Sequence, residues 1–576
     1  MKIRKSCSPC TKIILCSLKK HSMHIVLLSL LCFGGALLPS VTPLVYRQIV
    51  DTLIPGQNIK ELLLYVILLI LIPMITSLLL NWRNITAYKL SNQISCTLRL
   101  SLFQKIAEMD YAAYLRFGAK ALVYRLTRSC GQIVDVFLNN TVLSLINSSF
   151  ALTMSLLPML LLEYRLALAA MIALPILYLL LDWVKKRVSI RDKRLYQVLM
   201  TGEGLMHETL EGLRAMRISG SKEHHTQKIR SWLETHNTAK LSSVKAHEFE
   251  RASLPELCLQ ILYGLVFIFG AVLVMENEMS VGTLVAFIAY VPRAFGSLRE
   301  LLMIQVTFKS VAAVFESVNE VFEISSEPSG TKLLFEASGR ISFDNVSFQY
   351  DAASSFALKD ISFEVFPGEA VAVIGETGGG KSTIFDLLLR FYQPVSGTIR
   401  VDGVDISEYN MDSYRSNFSV VSQIPFLWQD TLQNNVVDSN KEIDVERYRD
   451  ALEKAQLADL LDRLPNQDQT LLGEGGHAVS GGERQRIALA HAIYQNRPII
   501  LLDEPTAALD VETEARIRDV LLSYKGKKTL LVITHRLSTV LQYDRVLIIK
   551  NGQIIENGPP KELMHRESEL RHLMDC

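Results

Sequence analysis

Ala370-Val371-Ala372-Val373-Ile374-Gly375-Glu376-Thr377-Gly378-Gly379-Gly380-Lys381-Ser382-Thr383 reads as a strand, a glycine-rich turn and the opening of a helix. Five small or β-branched apolar residues suit a buried strand, and the run Thr383–Arg390 continues as a helix. Between them lies GxxxxGK[ST], whose glycines let the backbone curl until successive N–H groups face one anion. The helix N-terminus adds its partial positive charge at the same place. Lys381 supplies a cation for the β- and γ-phosphates of a nucleotide, and the Ser382 hydroxyl suits a Mg²⁺ shell. A chance glycine-rich turn would not bring strand and helix with it. Gly375, Glu376, Thr377, Gly378, Gly379, Gly380, Lys381, Ser382 and Thr383 are therefore expected to hold nucleotide.

Downstream, Ile499-Ile500-Leu501-Leu502-Asp503-Glu504 has four consecutive apolar residues, the pattern of a strand buried on both faces of a parallel sheet. Its end presents two carboxylates at the edge where such sheets bind ligands. Asp503 suits the metal shell, and Glu504 suits general-base activation of a water against the γ-phosphate. Together the two elements predict an α/β P-loop NTPase for the second half of the chain.

What surrounds them is more specific. Gly473-Glu474, then Val479-Ser480-Gly481-Gly482-Glu483-Arg484-Gln485-Arg486, resembles the signature motif of ATP-binding cassette proteins. Asp503-Glu504-Pro505-Thr506-Ala507-Ala508-Leu509-Asp510 is similar to the stretch that ends in that family's Asp-containing loop. Gln423 stands where the family has its glutamine loop, and His535 where it has its switch histidine. Tyr350, in Phe348-Gln349-Tyr350, resembles the aromatic that stacks on adenine. The order and spacing fit throughout Ile341–Asn557. The resemblance implies that Ser480, Gly481, Gly482 and Asp510 join the ATP site, and that Gln423 joins Ser382 and Asp503 around Mg²⁺. It assigns catalysis to Glu504, His535, Gln423 and Lys381. The family's signature usually reads LSGGQ, and here Val479 and Glu483 replace its first and last residues. Glu483 brings a negative charge near the triphosphate unless it faces away.

Outward in the other direction the chain changes character. It has 576 residues, 49% hydrophobic and 21% charged, too many for one compact soluble domain. The first half carries six apolar runs long enough for the roughly 20 residues a membrane helix needs. They cover about His24–Tyr46, Leu62–Trp82, Phe137–Leu162, Leu166–Val184, Leu254–Met275 and Val281–Gln305. Lys2, Arg4, Lys5, Lys12, Lys19 and Lys20 precede the first run, which places the N-terminus in the cytoplasm. The second-to-third and fourth-to-fifth connections are long and basic, and the other three are short, so all six runs agree on one topology. Each long connection has roughly 55 to 70 residues, and half of that as helix reaches roughly 40 Å past the bilayer. Such struts could meet a soluble domain and carry force, or could form an independent hairpin. The expected division is a cytoplasmic segment 1–21, a six-helix membrane domain 22–322, a turn-rich linker 323–339 and a nucleotide-binding domain 340–576.

Polar groups inside spans are functional candidates, which singles out Gln260, Tyr263 and Arg293 for a substrate pathway. Interhelical hydrogen bonding is the plainer alternative for each. In the second long connection Glu208, Glu211-Gly212 and Arg217–Glu223 are similar to the exporter branch of the same family. In the first, Tyr124-Arg125-Leu126 is similar too, with Ser129 where that branch usually shows an acid.

The resemblance implies a half-transporter of six spans and one cassette that works as a dimer of two copies, a homodimer being simplest and a heterodimer the alternative. The expected function is ATP-driven export of an unidentified amphipathic substrate (drug, lipid or peptide) from a multi-pass protein of the plasma membrane with both termini cytoplasmic. An ATP-gated channel or regulator on the same fold is the competing class. A soluble cassette protein for DNA repair or translation does not fit the six spans. Nothing resembling a peptidase precedes the first span, which argues against a leader-cleaving peptide exporter. A net charge of +1 with no basic, aromatic-interleaved stripe gives no footprint for a nucleic-acid partner. The eight cysteines, with one CxxC at Cys7 and Cys10, show no disulfide framework and read as reduced thiols.

Overall fold

The computed structural model describes residues 8–168, 171, 194–195, 198–199, 201–202, 204–206, 208–249, 253–350, 355–437, 442–473, 479–565 and 568–575. They separate into two compact units, Met1–Ala107 with Ala119–Glu323, and Glu108–Gly118 with Ile324–Cys576.

The first unit is helical. Ser8 opens α1 (Pro9–Lys20) by accepting the Thr11 N–H, and Pro9 sits where the helix has no use for an N–H. Cys10 is buried there, and burial pushes its thiol up to about 12, so the group stays an inert thiol. α2 (Ser22–Gln48) runs on through a π turn to Leu53. α3 (Ile59–Ala107) is 49 residues long, about 74 Å of helix, more than twice the roughly 30 Å of a bilayer's hydrocarbon core. A short helix, α4 (Tyr111–Phe117), follows and belongs to the second unit. The helical run α5 (Ala119–Leu162) leads back. The second long connection carries α6 (Leu213–Ile218) and α7 (Lys222–Glu248), before α8 (Leu254–Met275) and α9 (Val281–Glu323).

Among the described residues, five stretches are long and apolar enough to cross a membrane: Ser22–Leu53, Ile59–Ala107, Ala119–Leu162, Glu256–Met275 and Val281–Ile304. They contain five of the six expected spans; most of the fourth, about Leu166–Val184, lies outside the described residues. On α3 the side chains of Leu63, Leu64, Ile67, Ile70, Met74 and Leu78 are exposed, an apolar surface that only lipid solvates well. The Val281–Ile304 stretch is the most enclosed of the five. Its Phe287, Tyr290 and Val291 pack with Met159 of α5 and with Leu262 and Val266 of α8.

The second unit is α/β. An antiparallel sheet in the order β2-β1-β4-β5 uses β1 (Ile341–Phe348), β2 (Leu358–Val365), β4 (Ser396–Val401) and β5 (Val404–Asp405). The larger sheet, β10-β9-β3-β8-β7-β6, uses β3 (Ala370–Gly375), β6 (Phe418–Val421), β7 (Ile499–Asp503), β8 (Thr529–Ile533), β9 (Arg545–Lys550) and β10 (Gln553–Gly558). All its neighbours are parallel except the β9–β10 edge pair. The central strands β3, β7 and β8 are apolar almost throughout because both faces are covered. Val371, Val373, Leu501, Leu531 and Ile533 face one core with Ile384 and Leu388 of α10 (Lys381–Leu388). Ala372, Ile374, Ile500, Leu502 and Val532 face another, with Leu489 and Ile493 of α11 (Gly481–Gln495) and Ile517 of α12 (Val511–Leu522). The period-two alternation of a strand thus feeds two cores at once.

Candidate active site

Parallel pairing of β3, β8, β7 and β6 brings their carboxyl ends to one edge. There the chain leaves β3 as the glycine-rich turn, β7 as Asp503-Glu504, β8 toward His535 and β6 toward Gln423. Four segments that are far apart in sequence therefore deliver their polar groups to one crevice, where open α/β sheets bind ligands.

The turn is shaped by its glycines at one demanding point. Gly380 caps α10 at a φ of 100°, and a Cβ there would lie 2.5 Å from the Ala357 carbonyl oxygen. The Lys381 ammonium donates to the Gly375 and Glu376 carbonyls at 2.9 and 2.8 Å and is 7% exposed. Burial lowers its pKa, and the nearby Glu504 and Asp503 carboxylates oppose that. Thr377, Gly378 and Ser382 remain exposed at the mouth of the turn.

Across the crevice the Ser382 hydroxyl donates to Asp503 Oδ2 at 3.0 Å. Burial raises the Asp503 pKa, the Ser382 hydrogen bond lowers it, and burial prevails. Glu504 sits beyond with φ at 49°, in the left-handed region that a side chain rarely adopts. Its N–H is held by the Ile533 carbonyl at 3.0 Å. Its carboxylate takes the Gln423 amide N–H at 3.2 Å on one oxygen and lies 3.0 Å from His535 Nε2 on the other. Such strain persists where surrounding bonds over-determine the backbone, and it aims the carboxylate away from its strand.

Ser480 is the N-cap of α11, and Ser480 and Gly481 are exposed. The Ser480 hydroxyl accepts the Glu483 N–H at 3.2 Å, and the Glu483 carboxylate accepts the Ser480 N–H at 2.7 Å, a complete capping box. The second Glu483 oxygen pairs with Arg463. Burial raises the Glu483 pKa, but the Ser480 N–H and Arg463 outweigh it, so the group titrates below its ordinary value. The acid that departs from LSGGQ is thus turned into its own helix end. Glu474 lies outside the described residues.

Gln485 lies on the same helix, within the signature stretch. It is 4% exposed, donates to the Gln423 and Glu504 carbonyls at 3.4 and 3.3 Å, and accepts the Ala508 N–H at 3.1 Å. One buried amide therefore ties α11 to the Gln423 loop and to the turn that begins at Glu504.

The remaining expected residues are spread out. The Tyr350 hydroxyl meets Thr383 Oγ1 at 3.0 Å and Asp386 Oδ2 at 3.4 Å, with its ring about half exposed. Asp510 accepts the Thr513 N–H at 3.0 Å as the N-cap of α12, and that bond lowers its pKa. In the helical unit, Gln260 donates to Glu256 of its own helix at 2.8 Å, and Tyr263 packs beside the cluster around Tyr290. Arg293 donates to the Ala36 carbonyl at 2.5 Å, an interhelical bond of the kind that satisfies buried polar groups.

Comparison with known proteins follows the same division. Residues 25–298 match the ABC transporter transmembrane region, and residues 358–507 match the ABC transporter family. The ATP-dependent lipid A-core flippase of Paraburkholderia xenovorans (strain LB400) is 31% identical over 84% of this chain and 81% of its own length. The putative multidrug export ATP-binding/permease protein YgaD of Bacillus subtilis (strain 168) is 28% identical over 96% of each chain. A solved bacterial Atm1-family ABC exporter with ATP bound superposes with a TM-score of 0.84 at 24% identity, covering 97% of this chain and 98% of that one. A membrane-spanning helical unit and a phosphate-loop sheet in one polypeptide, with relatives of this closeness, place the chain in the ABC transporter family, as an integral multi-pass exporter whose ATPase is coupled to transport.

Proposed function

We propose that two copies of this chain form the working exporter, each copy lending its Ser480-Gly481-Gly482 to the glycine-rich turn of the other across a shared Mg-ATP. The observation that carries this reading is Glu504 held between Gln423 and His535, beside Ser382 and Asp503. One polypeptide holds every group that hydrolysis needs, so two identical sites suffice and no second gene product is required. In one chain the turn and Ser480-Gly481 both face solvent. Exposed apolar surface points the same way: Ile424, Phe426 and Trp428, next to Gln423, are 80, 75 and 69% exposed, and α6 has no buried residue, with Ile218 78% exposed. A partner's second connection would cover such a patch.

In this reading Lys381 leaves its carbonyl contacts for the β- and γ-phosphates, and Tyr350 offers its ring to adenine. Glu504 accepts the proton of the attacking water as its oxygen bonds to the γ-phosphorus and the bond to the β–γ bridging oxygen breaks, leaving ADP and phosphate. His535 orients Glu504 and the γ-phosphate. Ser382 and Asp503, two hard oxygens 3.0 Å apart, fit Mg²⁺, which characteristically takes few protein ligands and completes its shell with phosphate and water. Gln423 is the third candidate ligand through its amide oxygen. When bound, the metal would neutralise charge on the phosphates. Closing and opening of the paired cassettes would drive α3, α5 and α9 between inward and outward states, with amphipathic substrate passing near Arg293. The chain would lie in the plasma membrane with both termini cytoplasmic.

The test uses purified full-length chain in lipid discs and sealed vesicles. A dimer in saturating Mg-ATP, with ATP-dependent uptake of a fluorescent amphiphile into inside-out vesicles, is the expected result. A strictly monomeric protein that still hydrolyses ATP would refute the shared site. Passive ion conductance without uptake would point to the channel class.

A further inference from the structure

Within the second unit, the rings that surround the nucleotide end of the fold form an unbroken chain. Tyr350 stands edge-on to Tyr392 with centroids 5.1 Å apart and planes at 89°. Tyr392 stands edge-on to Tyr111 of α4 at 6.2 Å and 83°. Tyr111 also lies 4.8 Å from Phe391. Phe391 and Tyr392 follow α10 after Leu389 and Arg390, and the other end of that helix carries Lys381 and Ser382. The linker meets the same spot. Arg415 forks onto both Glu327 carboxylate oxygens at 2.8 and 3.1 Å, with its guanidinium 5.0 Å over Phe391, and the Glu327 N–H donates to the Glu108 carbonyl at 2.9 Å.

We infer that Tyr392 is a coupling residue: it reports adenine at Tyr350 to Tyr111, and so to the first cytoplasmic connection of the same chain. The inference rests on the reading of Tyr350 as the base platform. Tyr350 is anchored at its hydroxyl by Thr383 and Asp386 and is 48% exposed. A base stacked on its ring can rotate the ring about its anchored end but not push it away. An edge-to-face contact depends steeply on ring angle, so rotation of Tyr350 is felt by Tyr392 rather than absorbed. Tyr392 in turn touches α4, which clusters with the cassette although both of its flanking helices belong to the membrane unit. Both points where chain enters this unit from the helical one, Glu108 and the linker, are tied through Glu327 and Arg415 to Phe391, which packs on the same Tyr111 that Tyr392 meets. What supports the relay is contiguity: an unbroken run of ring contacts from Tyr350 through Tyr392 to Tyr111 of α4.

The test uses full-length protein in lipid discs with a spin-label pair on the membrane helices, in the Glu504→Gln background that retains ATP. Tyr392→Leu is expected to keep ATP affinity within about twofold while abolishing most of the ATP-driven distance change, and Tyr392→Phe is expected to restore it. Tyr111→Leu, on the connection, is expected to reproduce the loss and guards against a cassette that merely misfolds. An intact distance change in both Leu variants overturns the relay. So does an affinity loss in Tyr392→Leu as large as that of Tyr350→Ala, because Tyr392 would then belong to the base site. Unchanged affinity in Tyr350→Ala instead removes the platform itself, a separate failure.

Discussion

The Glu483 carboxylate accepts the Ser480 N–H at 2.7 Å while the Ser480 hydroxyl accepts the Glu483 N–H, so the two side chains together close the N-terminal end of α11. This settles which way the acid points: toward its own cap and Arg463. Ser480 keeps its hydroxyl proton free to donate outward. Glu483→Gln preserves the box, because glutamine serves at that position too, and loses only the Arg463 ion pair. ATPase activity is expected to stay within about twofold and stability to fall by at most about 1 kcal/mol, since Arg463 is well exposed. The sign with pH is fixed. The folded pKa of Glu483 is lowered, so its contribution is present above the unfolded value of about 4.3 and is lost as pH falls through the folded value. The Tm difference between wild type and Glu483→Gln should therefore shrink below about pH 4. A difference that grows on acidification would count against the assignment.

Glu504→Gln is the direct test of the general base. Glutamine keeps the size and an oxygen for Gln423, but it cannot take a proton. Steady-state hydrolysis is expected to fall by about 10² or more while ATP affinity is retained, measured by phosphate release and equilibrium nucleotide binding. Normal turnover would remove Glu504 from the role.

Gln485 gives a prediction of a different kind, since it touches backbone and not nucleotide. Gln485→Leu removes the side-chain partner of the Gln423 carbonyl and of the Ala508 N–H, and one of two donors to the Glu504 carbonyl, which keeps the Ala507 N–H at 3.2 Å. Each partly buried bond lost costs about 1 kcal/mol, and the segment carrying Glu504 at its strained φ is the one loosened. The expected result is a kcat lowered by about tenfold with KM for ATP changed by less than about threefold, from steady-state kinetics. Equal loss in both would mean that Gln485 shapes binding rather than the position of Glu504.

The parts of the molecule readable from sequence are those set by local pattern. Unbroken apolar strands announced a parallel sheet covered on both faces, and Val371/Ala372 alternation now fills two separate cores. Long apolar runs gave the membrane helices for the same reason: their burial partner is solvent-like lipid and needs no long-range knowledge. The direction of Glu483 was also within reach, because Ser480-x-x-Glu483 before a helix is the capping-box spacing. Gln485 was not, because its role depends on carbonyls at Gln423 and Glu504 that only strand pairing brings together. Nor was the membership of α4 in the cassette unit, which rests on contacts such as Tyr111 with Phe391, 280 positions later.

Asp51 and Gly282 of the helical unit carry the last prediction. Asp51 Oδ1 accepts the Gly282 N–H at 2.8 Å and Oδ2 accepts the Ser280 hydroxyl at 2.6 Å, so the turn after α2 caps the start of α9. A free helix N-terminus leaves N–H groups unpaired, and losing such a cap costs about 0.5–2 kcal/mol, so Asp51→Ala should lower thermal stability by that amount. The fit is close: a Cβ on Gly282 would lie 2.5 Å from Asp51 Cγ. Gly282→Ala must therefore displace the carboxylate and break the same cap. Two substitutions that destroy one interaction do not add, so the double variant should be about as stable as the worse single variant. Thermal unfolding of the four proteins in detergent checks it, and strict additivity would show that Asp51 and Gly282 stabilise the fold independently.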